Sequence, residues 1–138
     1  MKRALIQNIK VYPYTSGEAI DRERFLSGVL AVKVGTPTGS PTGLAVKVTL
    51  TESDTADGTF TPASDKLIPV GNKPLDDDGS ISIATDAQGG ALVNLDLDLV
   101  GCKKYIKAAC SVVCTGGTSA ACTATAAVAL GDAAEMPV

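Results

Sequence analysis

The sequence predicts an all-β fold, a β-sandwich or barrel with at most one short helix. Apolar and polar residues alternate with a period of two along most of the 138 residues, which is the spacing of strands with one buried face. Clusters of Gly, Pro, Asp and Ser separate these runs, and each of these residue types favours turns. Many short strands between such turns are typical of sandwiches and barrels.

The alternation predicts the strands in chain order. The first strand ends at Pro13 and carries on one face Leu5, Gln7, Ile9 and Val11. The second covers residues 27–35, and the clearest pattern is in residues 43–53, where Leu and Val alternate with Ala, Lys and Thr. The apolar faces should form the core, which we expect to contain Leu44, Val46, Val48, Leu50, Val93, Leu95, Leu97, Leu99, Ile106 and Val112.

Three later runs repeat the alternation, at residues 91–101, 103–114 and 119–131. The last run is rich in alanine and favours a helix by propensity, but its threonines and its alternation indicate a strand. Two Asp-Gly pairs, ending in Gly58 and Gly79, are predicted to form tight turns in which the glycine supplies a positive φ.

Residues 16–28 are compatible with the one short helix. Thr15 or Ser16 offers an N-terminal cap there, and Glu18 would support that cap. A loop that leads into a strand is the competing interpretation of the same segment.

The length and composition predict one domain over residues 1–138, with flexible arms at both ends. Apolar residues make up 45% of the chain, which is enough for a hydrophobic core. The net charge of −3 and the scattered Lys and Arg disfavour nucleic acid as a partner. No apolar stretch reaches the length of a membrane span, and Gln7, Asn8 and Lys10 interrupt the apolar run that a signal peptide needs. We therefore expect no nucleic-acid or membrane partner.

Four cysteines, at positions 102, 110, 114 and 122, are expected to be free thiols. Without an export signal a reducing compartment is the default, and buried cysteine behaves as a small hydrophobic residue. A disulfide between neighbouring strands is the alternative. A zinc site is not expected, because paired C-x-x-C motifs and histidine are both lacking.

Two acidic clusters are candidate cation sites. Asn94, Asp96 and Asp98 share one face of a strand, but a strand spaces such ligands about 6–7 Å apart and does not make them converge. A hairpin at Gly101 would place opposite them Lys103, Lys104 and Lys107. Residues 76–79, Asp-Asp-Asp-Gly, lack the D-x-D-x-D-G order of a calcium loop. We interpret both clusters as solvated surface and assign no metal ligand.

Catalytic motifs are not found. The chain has no histidine, so it offers no His general base and no Ser-His-Asp or Cys-His arrangement. It contains neither a G-x-S-x-G elbow nor the G-K-[ST] ending of a phosphate loop. Aromatic residues are few and Trp is absent, which disfavours a sugar-cleaving site or a stacking platform for bases. We expect no enzyme activity, no cofactor, and no catalytic or cofactor-binding residue.

Three stretches of the sequence resemble small structural proteins of tailed bacteriophages. They read LAVKVTLTESDTADGTFTPA, VNLDLDLVGCKKYIKAACSVVC and AVALGDAAEMP, and the resemblance covers about residues 43–137. Among such proteins the capsid cement (decoration) proteins fit the size best. The resemblance implies a jelly-roll β-sandwich on the outside of an HK97-type shell, as a homodimer or another homo-oligomer. Its partner would be the major capsid protein, and its location the outer capsid surface of the virion after synthesis in the host cytoplasm.

By this resemblance the chain stabilises the shell by bridging capsid subunits. We expect contacts from the chain ends and the Gly/Pro-rich loop of residues 35–43 rather than from a pocket, because several partners at once offset the ordering of short ends. The expected partner-binding residues are Lys2, Arg3, Met136 and Val138. The alternatives are a phage tail-tube or tail-terminator protein, and an Ig-like or carbohydrate-binding module.

Overall fold

The computed structural model describes residues 9–22, 25–67 and 75–133. This part of the chain contains nine strands and one short 3₁₀ turn at Ser64–Lys66. The strands are β1 Lys10–Tyr14, β2 Ala19–Asp21, β3 Phe25–Val34, β4 Gly43–Ser53, β5 Thr61–Pro62, β6 Ile81–Thr85, β7 Leu92–Asp98, β8 Tyr105–Thr115 and β9 Ala124–Ala133. The prediction of an all-β fold is confirmed.

The strands pair in a nested order. Antiparallel ladders join β1 to β9, β2 to β8, β3 to β7 and β4 to β6, as if one long hairpin had been rolled up. Further ladders join β3 to β9 and β4 to β8, which completes two packed sheets. One sheet has the order β1-β9-β3-β7, and the other has β2-β8-β4 with β5 and β6 both on β4. This strand order is that of a jelly-roll sandwich.

The core lies between the two sheets and is built from the alternating faces of the long strands. Nine of the ten predicted core residues are buried, and Leu50 and Leu99 are fully so. Val112 is the exception, since it is only half-buried near the end of β8. The alternation assigns the faces of these long strands correctly, and Val112 marks a place where the sandwich is open. The face of β1 is the reverse of the prediction, because Ile9 and Val11 are 40% and 65% exposed whereas Tyr14 is buried.

The predicted helix over residues 16–28 is wrong in its described part. The chain makes a turn and then forms β2, in which Ile20 is 2% exposed and pairs with Ile106. The β-ladder and the burial of Ile20 outweigh the local capping signal, as tertiary contacts commonly outweigh propensity. The competing interpretation, a loop that leads into a strand, is confirmed.

Two predicted chain features differ in detail. The first strand does not end at Pro13 but continues to Tyr14, because β1 is an edge strand, where proline is tolerated. Gly79 has the predicted positive φ, at 79°. Gly58 closes a turn back to Thr55 without a positive φ; a side chain there would collide with the Thr55 hydroxyl, so space selects this glycine.

The chain crosses from one sheet to the other between β1 and β2, and Tyr14 fixes that crossing. Its hydroxyl, in a residue only 5% exposed, accepts the Ala108 N–H of β8 at 2.9 Å and donates to the Glu18 carbonyl at 2.6 Å. The Ser16 hydroxyl accepts the Cys110 N–H at 2.8 Å in the same way. Burial raises the pKa of the Tyr14 hydroxyl to about 12. Two side chains thus take the place of a strand along part of the β8 edge.

Leu97→Asp should leave the protein largely insoluble or lower its free energy of unfolding by more than about 4 kcal/mol, because an unpaired charge would be buried in the core. Leu97 is 1% exposed. Asn94→Asp introduces the same residue on the exposed face of the same strand and should change stability by less than about 0.5 kcal/mol. Chemical denaturation measures both, and a stably folded Leu97→Asp protein would mean that the strand faces are reversed.

Tyr14→Phe should lower the free energy of unfolding by about 1–3 kcal/mol, because the buried Ala108 N–H loses its partner. Tyr12→Phe is the control: Tyr12 is half-buried on the same strand, and within the described residues its hydroxyl makes no hydrogen bond. Urea denaturation should separate the two variants. Equal stability of both would show that the Tyr14 hydroxyl does not hold the crossing.

Candidate functional site

The four predicted partner-binding residues, Lys2, Arg3, Met136 and Val138, lie outside the described residues. Their role stays a prediction.

The Gly/Pro-rich loop of residues 35–43 is held against the loop that follows β8. Thr38 and Ala121 exchange two backbone hydrogen bonds, at 2.8 and 3.1 Å, and the Thr118 N–H donates to the Gly39 carbonyl at 2.9 Å. Gly39 has a φ of 78°, and a side chain there would collide with the Thr118 and Ala120 backbone. Pro41 is buried. Much of this loop's backbone is therefore satisfied within the chain.

The acidic loop of residues 76–79 is organised by hydroxyl groups and a lysine. The Ser80 hydroxyl donates to Asp78 at 2.5 Å, the Ser82 hydroxyl donates to Asp76 at 2.9 Å, and Lys47 Nζ lies 2.9 Å from Asp78 Oδ2. These donors, the Ser80 hydroxyl first and then Lys47, hold the pKa of Asp78 well below its usual range. Hence this contribution to stability is complete above the ordinary aspartate pKa of about 3.9 and is lost as the pH falls towards the folded value.

The same loop was the stronger of the two candidate cation sites. Its carboxylate oxygens face hydroxyl and ammonium donors, which a cation would have to displace. Among the described residues, no three Asp, Glu or Cys side chains are grouped so that they would hold a metal ion. The arrangement indicates a hydrogen-bonded turn.

The acidic row on β7 is exposed, as predicted, but its predicted lysine partners are wrong. Asp96 lies opposite Val29 and Asp98 opposite Ser27, because β7 pairs with β3. The lysines of residues 103–107 follow a turn that crosses to the other sheet, and the buried Leu99 and Cys102 anchor that turn. β7 and β8 lie in different sheets, so the predicted hairpin between them does not form.

An apolar outer face covers the sheet that contains β1, β9 and β3. It consists of Ile9, Val11, Val29, Ala31, Ala127 and Ala129, which the strand register places side by side. Val11 is 65% exposed and Ile9 40%, and a shallow groove of about 350 Å³ runs between Ile9 and Asp96. The acidic row on β7 borders this face. The surface thus combines a flat apolar centre with a negative border.

Sequence reasoning did not single out this face. The expected burial of the Ile9 and Val11 face of the first strand is wrong, since Tyr14, which shares the opposite face with Tyr12, is the buried residue. The two larger aromatic side chains were the available signal, because a tyrosine that reaches a hydrogen-bond partner buries more apolar area than a valine.

A second concave surface lies at one corner of the sandwich. It is a groove of about 600 Å³ between β8 and β9, lined among others by Cys110, Val112, Cys122 and Ala126. Apart from the Tyr14 ring it presents small apolar and hydroxyl side chains and no charged one.

All four cysteines lie in the described residues and are free, so the prediction of thiols is confirmed. Burial raises the pKa of Cys102 to about 11, with help from the Glu52 carboxylate, and burial alone raises the pKa of Cys110 to about 11. The thiolate is the reactive form, so these two thiols should react slowly at neutral pH.

No protein-family model, curated protein or solved structure matches the chain. Within the described residues, no helix has the length and apolar character needed to cross a membrane.

Thiol titration with a disulfide reagent in denaturant should find about four reactive groups. In native buffer at pH 8 the reaction should be slowest at Cys102, because this thiol is both buried and protonated. Cys102→Ala should remove the slowest phase, whereas Cys122→Ala should remove a faster one. Finding no reactive thiol in denaturant would contradict the account and indicate disulfides.

Proposed function

We propose that the protein is a virion structural protein that binds the outer surface of an HK97-type phage shell and stabilises it by bridging capsid subunits. The observation that carries the proposal is the apolar outer face, where exposed Ile9 and Val11 lie at the β1 edge of a sheet and the acidic row lies at its β7 edge. The resemblance to capsid cement proteins supports the proposal, since that resemblance implies a jelly-roll sandwich and this chain forms one.

The chemistry of the face defines the surface it would contact. An apolar centre with a polar rim is the usual composition of a protein–protein interface. Asp96 and Asp98 give the rim a negative side, so the matching capsid surface would be apolar with basic residues along one border. Each contact is small, and the symmetry of the shell multiplies many such contacts into stable occupancy.

The N-terminal residues are within reach of the same contact. Ile9 lies on the apolar outer face, and Lys2 lies seven positions before it in the chain. An extended chain spans at most about 3.6 Å per residue, so Lys2 and Arg3 reach no further than about 25 Å from Ile9. They would meet acidic groups of the shell and add a salt-sensitive part to binding.

Val11→Glu should abolish most of the occupancy on shells, because it puts a charge on the most exposed apolar residue of the outer face. It should leave the fold stable within about 0.5 kcal/mol, since Val11 is 65% exposed. Val100→Glu is the matched control, because Val100 is 55% exposed in the turn after β7 and is not one of the six residues of the apolar outer face. Co-sedimentation with empty shells of the phage that encodes this chain measures the occupancy. Wild-type occupancy for both variants would contradict the assignment of the face.

The alternatives separate in the same type of experiment. Recovery of the chain with purified tails rather than heads would favour a tail-tube or tail-terminator protein. The nested strand order differs from the immunoglobulin order, which weighs against an Ig-like module. Jelly rolls also occur in lectin domains, so a carbohydrate-binding module is the second candidate, and specific retention on a glycan array would favour it.

A further inference from the structure

One corner of the sandwich lacks a strand in both sheets. β8 has eleven residues, and β2 pairs with only three of them, Tyr105 to Lys107. Beyond these, the Gly17 N–H donates to the Ala108 carbonyl at 3.0 Å and the Ser16 hydroxyl accepts the Cys110 N–H at 2.8 Å. Within the described residues no ladder covers the remaining length of this edge.

On that edge, the N–H and C=O groups without a partner among the described residues are those of Val112 and Cys114. In a strand, the N–H and C=O of alternate residues point to the same side. Those of Ala108 and Cys110 point away from β4, to Tyr14, Gly17 and Ser16. The groups of Val112 and Cys114 therefore point the same way, into the space where β2 would continue.

The other sheet has a matching gap. β1 pairs with β9 from Ala126 to Leu130, so among residues 9–22, 25–67 and 75–133 no strand pairs with the first residues of β9 on that side. The Thr123 carbonyl accepts the Gly35 N–H at 2.8 Å on the β3 side. By the same alternation, the N–H and C=O of Ala124 point to the open side.

The core is also incomplete at the corner where β8 and β9 lack strand partners among the described residues. Ile106 and Ala108 on the inner face of β8 are at most 1% exposed, whereas Val112 and Cys114 on the same face are only half-buried. The groove of about 600 Å³ lies directly beside them. We call residues 111–115 and 122–125 with this groove the open corner.

We propose that the open corner of one molecule pairs with the open corner of a second copy. The ends of the two β8 strands lie antiparallel across a two-fold axis near Val113, so that Val112 of one copy faces Cys114 of the other. Each copy offers two N–H donors and two carbonyl acceptors, and the two-fold alignment joins them in about four hydrogen bonds.

The composition of the corner supports a second copy as the occupant. Residues 108–131 contain no charged residue, so two copies meet without like-charge repulsion. Edge strands that stay unpaired are usually protected by lysine, proline or a bulge, and residues 111–115 contain neither lysine nor proline. They read Ser-Val-Val-Cys-Thr, in which β-branched residues favour a strand.

The pairing also fills the groove. A two-fold axis perpendicular to the sheet keeps the inner faces of both copies on one side. Val112 and Cys114 of each copy then extend the core of the other, over Cys122 and Ala126. This inference goes beyond shell binding and does not depend on it, because it is measured on the purified protein.

The test combines sedimentation equilibrium of the full chain with amide hydrogen exchange over a range of protein concentrations. We expect a dimer at high concentration in which the Val112 and Cys114 amides exchange at least about tenfold more slowly than in the dilute monomer. The Val113 amide is the internal control, because Val113 pairs with Ala45 of β4 and should be protected at every concentration.

Cys114→Lys should shift the protein to monomer, because it places a charge in the shared core. Ala109→Lys adds the same charge on the same strand, but on the exposed outer face, and should keep the dimer. Val112→Pro removes one outward N–H and should also weaken the dimer, which provides a second variant if Cys114→Lys does not fold.

Three results would overturn the proposal. One is a monomer at all concentrations with fast exchange at Val112 and Cys114. Another is a dimer that Cys114→Lys and Val112→Pro leave unchanged. The third is protection of these amides that does not depend on concentration and disappears when residues 1–8 are deleted, since the chain's own N-terminal segment would then occupy the corner.

Discussion

The hydroxyl of Tyr14 determines where the chain leaves one sheet and joins the other. It bonds Ala108, 94 residues away along the chain, and Glu18, four residues away. These bonds hold residues 14–18 in the crossing, so β2 begins only at Ala19. It therefore pairs with only three residues of β8. The inner core depends on this crossing, because Ile20 enters it directly after the turn. The gap at the corner follows from the same early crossing, since the chain is no longer available to cover the rest of β8.

The fold places its interaction chemistry on surfaces rather than in an enclosed site. The inner faces of both sheets form the core. In the acidic loop beside Lys47, Asp78 and Asp76 accept hydrogen bonds from Ser80 and Ser82. In the described part of the chain, two surfaces offer interaction chemistry, the apolar outer face around Val11 and the open corner beside Val112. The first is a flat side-chain surface and suits another protein's surface, whereas the second is a strand edge and suits another strand.

Local alternation was sufficient to predict the long strands and their buried faces, with the exception of β1, because a period of two is a property of neighbouring residues. It was not sufficient to predict pairing. Asp96 was expected to meet lysines across a hairpin, yet its neighbour is Val29, about seventy residues away, since nested pairing is set by the whole chain. The segment around Ile20 looked helical because its capping signal is local and its strand partner is distant. The apolar outer face was missed because alternation alone does not say which side of β1 is buried.

We propose above all that the sandwich acts through its apolar outer face on a phage shell. Electron cryomicroscopy of particles from the proposed phage tests this proposal most directly. The account predicts density for the jelly roll on the outside of the shell, with the β1-β9-β3-β7 sheet turned towards the capsid subunits and Val11 at the contact. Density confined to the tail, absence of the chain from the particle, or that sheet turned towards solvent would contradict it.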